Sequence, residues 1–500
     1  MKNTRTKYRV SVAMLVAILS MGVISCEKEH LNPIPKTAFS DKVVFDTPDR
    51  IALQVNNLYS QVKNGNFLGG RAQIYGDVRA NDFINRTTNG VTAYLVWQQT
   101  INEASQNDVI NMWTFAYQAI NQINVFIEGM DANAEKFVAP VFPPTFAATA
   151  ASYVAEAKFL RAVSYHTLLM FYARPWADGS GAKPGLPLRL KGEKDSNGND
   201  LARSTVDQVY AQIIQDLNDA EAGLPANYGT DALLNTTRAH KNSAIAFKTR
   251  VYLTKGDYAN VITEANKIVP AGAPFTATSG VPHALQANVN NVFTGAQQTT
   301  ETILSMPFTA QNTPGGQNQL GFYYRASAGT NVGGGEFSLN SVTGIYADLV
   351  AWPAADARRT NFTYQQGTEY YLGKYPSGTP YLDRAPIMRW PEVLLNLSEA
   401  IARTSSLDTR AISLVNAVRT RSAGVPNAWV PVSNTELIDD IMTERRIEFL
   451  GEGLRNQDIM RLLQPFPGKG SVPAVPTTNA VWVWPIPLTE RLANALIEPN

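Results

Sequence analysis

The sequence predicts a mainly α-helical protein in which helical hairpins form a scaffold and a loop-rich region with a few short strands lies between them. Several long stretches carry apolar residues at helical spacing, two pairs of these stretches are joined by tight turns, and one intervening segment has no helical period. The chain has 500 residues, of which 44% are hydrophobic and 17% charged, so it can bury a sizeable core.

Charge and cysteine content exclude several classes of function. The formal net charge is +1, whereas nucleic-acid binding needs a concentrated positive field, so we expect no nucleic-acid partner. The single Cys rules out a disulfide framework and a Cys-based zinc or iron–sulfur site within one chain. Four scattered His leave little material for a His-rich metal centre. We therefore predict neither a cofactor nor a metal.

The first 25 residues predict a lipoprotein signal peptide. Residues 2–9 are basic, and 10–24 is almost wholly apolar, which is typical of a secretory signal and too short for a comfortable membrane span. Cys26, the only Cys, follows in a VISC sequence that looks like the bacterial lipobox, although an incidental Cys behind an ordinary signal is the alternative. We expect a lipid on Cys26 and a polar tether over 26–40.

Five single helices follow from apolar spacing, and Trp113 in the second of them is expected in the core. Residues 64–100, between the first two helices, are predicted as loops. Ser204 is the predicted N-cap of the fourth helix, because a Ser hydroxyl can accept from the free N–H groups of the first turn. The five predicted helices cover residues 49–63, 107–130, 146–172, 205–222 and 435–451, and the one at 435–451 is expected to be the final helix of the chain.

Two helical hairpins are predicted in addition. One pairs 243–254 with 258–269, and the other pairs 391–404 with 409–422. Tight turns and small Ala positions make these pairs resemble tetratricopeptide units, although the full repeat signature is degenerate.

The segment between the hairpins has a different composition. Residues 271–350 contain only four charged side chains and are rich in Gly, Asn, Gln, Thr and Ser. Residues 322–381 contain twelve aromatic residues, eight of them Tyr, which is too many for a linker. We therefore predict long ordered loops with a few strands, forming a ligand-binding insert over about 271–384.

Motifs follow Cys26 in a consistent order along almost the whole chain, and together they resemble the SusD/RagB family of outer-membrane lipoproteins of Bacteroidetes. No single motif is decisive. They are Trp113-x-x-x-Tyr117-x-x-Ile120-x-x-x-Asn124, Ala155-Glu156-Ala157-Lys158-Phe159-Leu160-Arg161-Ala162, Tyr172-Ala173-Arg174-Pro175, Lys374-Tyr375, Arg389-Trp390-x-Glu392-Val393-Leu394-Leu395 with Glu399-Ala400, Glu444-Arg445-Arg446-x-Glu448-x-x-x-Glu452-Gly453-x-Arg455-x-x-Asp458, and Trp484-Pro485-Ile486-Pro487.

The resemblance implies a SusD-like fold over 41–500, with the helical scaffold at about 41–270 and 385–465. It implies a lipid-anchored protein of the outer membrane, exposed at the cell surface. It also implies a partner, a SusC-like TonB-dependent outer-membrane transporter, to which a captured glycan is delivered.

Most charged motifs are expected to be structural rather than catalytic. Glu392 and Glu399 lie two helical turns apart on one face. Glu444, Glu448 and Glu452 alternate with Arg445, Arg446 and Arg455 at i, i+4-type spacings, which predicts an ion-pair network that fixes the last helix. His166 on an apolar stripe is expected to be a core residue. Asp195-x-Asn197-x-Asn199 resembles the start of a calcium loop but lacks its later ligands, so a polar turn is preferred. The run of three Gly at 333–335 is predicted to be a loop rather than a phosphate cradle.

The expected binding residues are aromatic and polar side chains of the loops. Flat rings stack on the apolar C–H faces of sugars, while amides, Asp and Arg bond the hydroxyl groups. Trp352, followed by Pro353, is expected to present its ring outward. The candidates in the aromatic segment are Tyr323, Tyr324, Arg325, Trp352, Tyr370 and Tyr371. The resemblance implies further candidates in a region that lines the binding face in this family, namely Tyr75, Asp77, Asp82, Tyr94 and Trp97.

These observations favour a non-catalytic surface lipoprotein that binds a neutral glycan. Two alternatives remain open at this stage. One is a helical-repeat scaffold that binds protein or peptide without glycan, and the other is a secreted glycoside hydrolase.

Overall fold

A computed structural model describes residues 43–195 and 197–500. One compact unit ends at Ile51, where the described residues are turns and the start of a helix, and a second spans Ala52–Asn500. The predicted signal peptide (1–25), the lipid-attachment residue Cys26 and the tether (26–40) lie outside the described residues. None of the described helices combines the length and apolar character needed to cross a membrane.

Helices dominate the described residues, and the mainly α prediction is confirmed. The α-helices in chain order are α1 (Pro48–Val62), α2 (Arg71–Val78), α3 (Tyr94–Gln98), α4 (Asn111–Ala132), α5 (Phe146–Tyr172), α6 (Val206–Gly223), α7 (Leu234–Thr237), α8 (Lys241–Lys255), α9 (Tyr258–Ala265), α10 (Leu320–Tyr324), α11 (Ala357–Phe362), α12 (Trp390–Thr404), α13 (Thr409–Ala423), α14 (Asn434–Glu448), α15 (Arg455–Arg461) and α16 (Leu488–Ala493).

Short strands are confined to three antiparallel pairs. The strands are β1 (Phe83–Asn85), β2 (Thr302–Met306), β3 (Phe337–Leu339), β4 (Thr363–Gln366), β5 (Glu369–Leu372) and β6 (Ala385–Arg389). In the described residues β1 pairs with β3, β2 with β6, and β4 with β5. Both the β1–β3 and β2–β6 pairs join segments far apart in sequence, so they tie the loop-rich insert to the helical scaffold.

The central helix is α5, which packs against α4 and α6. From Ala155 onward its residues are buried on nearly every side, as expected of a helix surrounded by other elements. Trp113 of α4 is 2% exposed, which confirms its place in the core. The sequence places Ser204 as the N-cap of α6, but the cap is Thr205, whose hydroxyl accepts from Gln208 N at 3.2 Å and completes a capping box.

Both predicted hairpins are confirmed, and each has a recognisable turn. Gly256 ends α8 with φ of +75°, a conformation that favours glycine, and the Asp257 side chain caps α9. Asp408 caps α13 by accepting from Arg410 N and Ala411 N. Helix α12 packs against α8, α9, α13 and α14, so the two hairpins form one layered scaffold.

Two predictions about the ends of the scaffold are wrong. Residues 64–100 contain α2, β1 and α3 rather than loops alone. Helix α2 cannot be predicted from apolar spacing because it is fully buried and has no amphipathic pattern. The helix predicted at 435–451 is not the last, since α15 and α16 follow it; both are short, with seven and six residues. The loop-rich character of 271–350 is confirmed, with β2, β3 and the single turn-like helix α10 in that interval.

Candidate functional site

Eight charged side chains between residues 301 and 452 form a buried cluster, called here the ion cluster. It consists of Glu301, Arg358, Lys374, Arg389, Arg421, Glu444, Glu448 and Glu452. Arg389 is its centre: it bonds Glu301 at 2.6 Å, Glu448 at 2.9 Å and Glu452 at 2.6 Å. These side chains are at most 5% exposed.

The arginines around Glu448 affect the pKa of this carboxylate more strongly than its burial does. Burial alone would raise the pKa of Glu448, but Arg421, Arg389 and Arg358 hold it well below its usual range. Each oxygen of Glu448 accepts a hydrogen bond, from Arg358 and Arg421 on one side and from Arg389 on the other. An ion-pair network is present, and it joins α14 to β6, α11 and α13, but its partners are not the predicted ones. Arg445 pairs with Asp458 and Arg446 with Asp82, because adjacent positions of a helix point in different directions.

The Glu pair of α12 is also structural, as predicted. Glu392 forms a two-pronged pair with Arg250 of α8, with both N–O distances 2.6 Å. Glu399 does the same with Arg461 of α15 at 2.7 Å and also accepts from Arg403. These bonds clamp α12 between the first hairpin and the last helices.

Other motifs singled out in the sequence are part of the packed fold. His166 is 2% exposed and lies 3.0 Å from Thr254 Oγ1, which confirms it as a core residue, and burial lowers its pKa to about 3. Asn197 N donates to Asp195 Oδ1 in a polar turn. Among the described residues no group of three or more His, Cys, Asp or Glu is arranged to hold a metal ion.

A second region, called here the loop face, is built from the loop at 86–93, the β3 to α11 connection and the β4–β5 hairpin. Arg86 joins the loop at 86–93 to β3 and to the β4–β5 hairpin: its backbone N donates to Glu336 O, its Nε donates to Ser338 Oγ at 2.7 Å, and its Nη2 pairs with Glu369. A ring contact between Tyr346 and Tyr370 joins the β3 to α11 connection to the same hairpin. The Glu336 carboxylate accepts from Thr92 Oγ1 at 2.6 Å. The loop face is therefore a connected surface, although its parts are distant in sequence.

Two half-buried tyrosines stand side by side on this face. The rings of Tyr346 and Tyr370 have centroids 4.9 Å apart at an angle of 42°. Gln365 lies directly opposite Tyr370 in the β4–β5 register, so its exposed amide is on the same face of the hairpin. Tyr346, Gln365 and Tyr370 are called the tyrosine platform.

A buried layer supports the platform from beneath. The Arg359 guanidinium lies 4.3 Å from the Tyr346 ring and 4.8 Å from the Trp352 ring, and its Nη2 donates to Tyr346 O at 2.7 Å. Trp352 is 1% exposed and meets Tyr346 edge-on. The platform is therefore held by packing and hydrogen bonds before any ligand arrives.

The structure places most predicted ligand residues inside the protein. The expectation that Trp352 presents its ring outward is wrong, because Arg359 and Tyr346 cover it. Seven other aromatic or acidic candidates are also 8% exposed or less, namely Tyr75, Asp77, Asp82, Trp97, Tyr323, Tyr324 and Tyr371. Such side chains reach a ligand only if their covering loops move. Tyr94 and Tyr370 are half-buried and reach solvent.

Internal contacts explain the buried aromatic candidates. Tyr75 Oη donates to Asn107 O at 2.9 Å, and Trp97 Nε1 donates to Phe83 O at 2.9 Å beneath the ring of Tyr94. Tyr323 stacks on Phe337. The other buried ring contacts pair Tyr324 with Phe83 and Tyr371 with Tyr364.

The polar candidates bond protein groups as well. Arg446 holds Asp82 by two nitrogens at 2.6 and 2.9 Å and lowers its pKa, against the effect of burial. Asp77 accepts from Gly453 N at 3.0 Å, and burial raises its pKa to about 8. Arg325 is 7% exposed and donates to Asn331 O and Thr330 O.

Sequence reasoning missed Tyr346 and Gln365. A signal for Gln365 was present, since the two short runs around Gly367 predict a hairpin in which 365 and 370 are paired. Tyr346 had no such signal, because its contact with Tyr370 joins a single turn at 345–347 to a strand more than twenty residues later.

Most of the few charged side chains in residues 271–350 are buried, so the surface of this segment carries less charge than its sequence alone indicates. Of the four charged side chains there, Glu301, Arg325 and Glu336 are at most 7% exposed, and Asp348 is the exposed one. The solvent surface of this segment is therefore nearly uncharged. Fold and surface together define a helical scaffold that carries a nearly uncharged loop surface.

Comparison with known proteins agrees with this class. A family described as "Starch-binding associating with outer membrane" matches residues 30–253, and the SusD family matches residues 317–494. SusD-like protein P2 of Formosa agariphila is 24% identical over 99% of both chains, and SusD-like protein P38 of the same organism is 22% identical over 98% of both.

Solved structures agree as well. A SusD superfamily protein from Bacteroides fragilis is 28% identical with a TM-score of 0.80, over 91% of this chain and 100% of that one. A structure titled "Laminarin binding SusD-like protein" has a TM-score of 0.70 at 19% identity, over 91% and 99% of the two chains, and shows the shared fold. The chain belongs to the SusD/RagB family.

Proposed function

We propose that the chain is a non-catalytic binding protein that captures an oligosaccharide or polysaccharide on its loop face. The tyrosine platform carries the proposal: two half-buried rings suit the apolar C–H face of a sugar, and the neighbouring amide suits its hydroxyl groups. The nearly uncharged surface of 271–350 favours a neutral sugar at this place. The starch-binding description of the matched family and the laminarin-binding relative support the same class of ligand.

A binding role without catalysis accords with the state of the carboxylates. Glycoside hydrolysis needs two carboxyl groups that flank the substrate. The six Glu residues of the recognised motifs are at most 7% exposed and bonded to arginines; they are Glu156, Glu392, Glu399, Glu444, Glu448 and Glu452. If the purified chain shortens a bound oligosaccharide, the alternative of a glycoside hydrolase is correct instead.

The decisive test of glycan capture is affinity gel electrophoresis against a panel of neutral polysaccharides that includes laminarin and starch. We expect Tyr346→Ala/Tyr370→Ala to lose most of the retardation, because a stacked ring contributes about 0.5–1.5 kcal/mol beyond its area. Tyr258→Ala, a half-buried tyrosine of α9, is the matched control and should migrate like the wild type. If no polysaccharide retards the wild type, the helical-repeat scaffold without glycan is favoured.

We also propose that a lipid on Cys26 holds the protein at the outer-membrane surface, where it delivers glycan to a SusC-like TonB-dependent transporter. Family membership supports this role. Cys26→Ser should move the protein from the membrane fraction to the soluble fraction while leaving glycan retardation unchanged. Retention of the variant in the membrane would contradict anchoring through Cys26.

A further inference from the structure

A cleft of about 530 Å³ lies beside the loop-rich insert and is distinct from the tyrosine platform. Its walls come from the residue after α1, the segments around 295–298 and 307–312, and residues 382–384 just before β6. This volume is within the range of about 300–1,000 Å³ that is usual for small-ligand sites.

Two cations line the cleft without a carboxylate partner among the described residues. Lys63 Nζ donates to Pro307 O at 2.9 Å and lies 5.4 Å from the centroid of the Phe308 ring. Arg384 Nη1 donates to Thr236 Oγ1 at 3.1 Å. Both make contacts with neutral groups only, in contrast to the cations of the ion cluster.

Burial works against both positive charges. It lowers the pKa of Lys63 and that of Arg384, and no nearby carboxylate raises either of them. A partly buried cation without a negative partner is energetically unfavourable. Lys63 and Arg384 would therefore be stabilised by a bound anion.

The one carboxylate in the cleft wall is already satisfied by neutral donors. Asp383 accepts from Ser377 N and Oγ, each at 2.9 Å, and from Gln297 Nε2 at 3.1 Å. Because these donors occupy both oxygens, Asp383 fixes the loop and leaves the cations unpaired. The cleft therefore has one excess positive charge. Asn312 and Thr309 in its wall can bond hydroxyl groups.

We propose that this cleft binds the anionic substituent, a carboxylate or a sulfate ester, of a charged oligosaccharide. The glycan part of the inference rests on the proposed function. The cleft segments at 295–298, 307–312 and 382–384 and the three residues of the tyrosine platform all lie within the insert at 271–384. The proposed ligand is therefore an oligosaccharide that carries both neutral and charged units. A neutral sugar in the cleft would leave Lys63 and Arg384 uncompensated.

The test is calorimetric titration of the full chain with four probes. They are a polygalacturonate oligomer, its methyl-esterified form, a sulfated galactan oligomer and its desulfated form. We expect the charged oligomer of one pair to bind more tightly than its neutral form. The double variant Lys63→Gln/Arg384→Gln should lower the affinity for that charged oligomer about tenfold or more, because hydrogen bonds to charged groups are stronger than those between neutral groups. The pair that responds identifies the carboxylate or the sulfate.

Controls separate this inference from the proposed function. Lys191→Gln/Lys194→Gln removes two exposed positive charges elsewhere and should leave affinity unchanged. Lys63→Arg should retain binding, and equal thermal midpoints show that the variants fold. Equal binding of charged and neutral forms, or no effect of the cleft variant, overturns the charged subsite while glycan capture stands. If none of these probes and no neutral polysaccharide binds, both proposals fail.

Discussion

The ion cluster and the loop face use the same residue types in opposite ways. In the ion cluster, Arg389 is 2% exposed and is paired with three carboxylates, each 5% exposed or less. On the loop face, Arg86 and Glu369 form one pair with side chains that are 33% and 28% exposed. Three of the family motifs supply five of the eight members of the ion cluster, whereas no residue of the tyrosine platform belongs to a motif. Motifs that identify this family therefore report on the scaffold rather than on the ligand.

Burial is the reason for the difference. A charged group in the interior is tolerated only with partners for nearly all of its hydrogen-bonding groups, so each member of the cluster constrains the others. A surface pair is screened by water and constrains little. Loop residues can therefore change with the ligand while the cluster stays fixed.

The largest expected effect follows from breaking the ion cluster. Arg389→Met leaves Glu301, Glu448 and Glu452 without their shared cation and should lower the free energy of unfolding by about 3–5 kcal/mol. Arg86→Met on the loop face should lower it by about 1 kcal/mol or less. Urea denaturation of both variants measures the contrast. Similar losses for the two variants would remove the distinction between the regions.

A glycine substitution sharpens the same comparison. In Gly76→Ala the new Cβ would lie 2.0 Å from Gly453 O, beside Glu452 of the ion cluster, so the backbone must shift. We expect a loss of about 1–3 kcal/mol or more. Gly90→Ala on the loop face meets no atom within 4 Å and should be nearly neutral. Thermal unfolding tests both variants, and a neutral Gly76→Ala would contradict the tight packing of α2 on the 451–453 turn.

The last expected effect builds up gradually with pH and concerns the buried acids near the cluster. Asp77 has a folded pKa of about 8 against 3.8 in the unfolded chain, so the folded state holds a proton that the unfolded state loses. The stability of the wild type should therefore fall, relative to Asp77→Asn, as pH rises from 5 to 8, by at most about 1.4 kcal/mol per pH unit. Urea unfolding across this range measures it.

Asp82→Asn is the matched control, because Arg446 lowers the pKa of Asp82. Its contribution is present above the unfolded pKa and is lost as pH falls through the folded one. Asp82→Asn should therefore be less stable than the wild type by a constant amount between pH 5 and 8. A constant difference for Asp77→Asn as well would show that Asp77 is ionised throughout.

Local patterns were enough to predict the main helices. The helix at 146–172 was placed at its true ends, and both hairpins were found, because helical spacing and turn residues act within a few positions. The short buried helix α2 was missed because it is covered on all sides and has no polar face to set a period. The cap at Thr205 instead of Ser204 shows that boundaries are fixed by backbone geometry.

The sequence by itself determined the helical scaffold, the loop-rich insert, its low charge and the resemblance to SusD/RagB proteins. Only the tertiary structure decided which aromatic residues reach solvent, since this depends on which distant segment covers each ring. Trp352 is hidden by Arg359 and Tyr346, whereas Tyr346 itself reaches the surface beside Tyr370. Within the part of the chain that the structure describes, Lys63 and Arg384 have no carboxylate partner. This too is visible only in the tertiary structure, because ion pairing between distant residues leaves no local pattern.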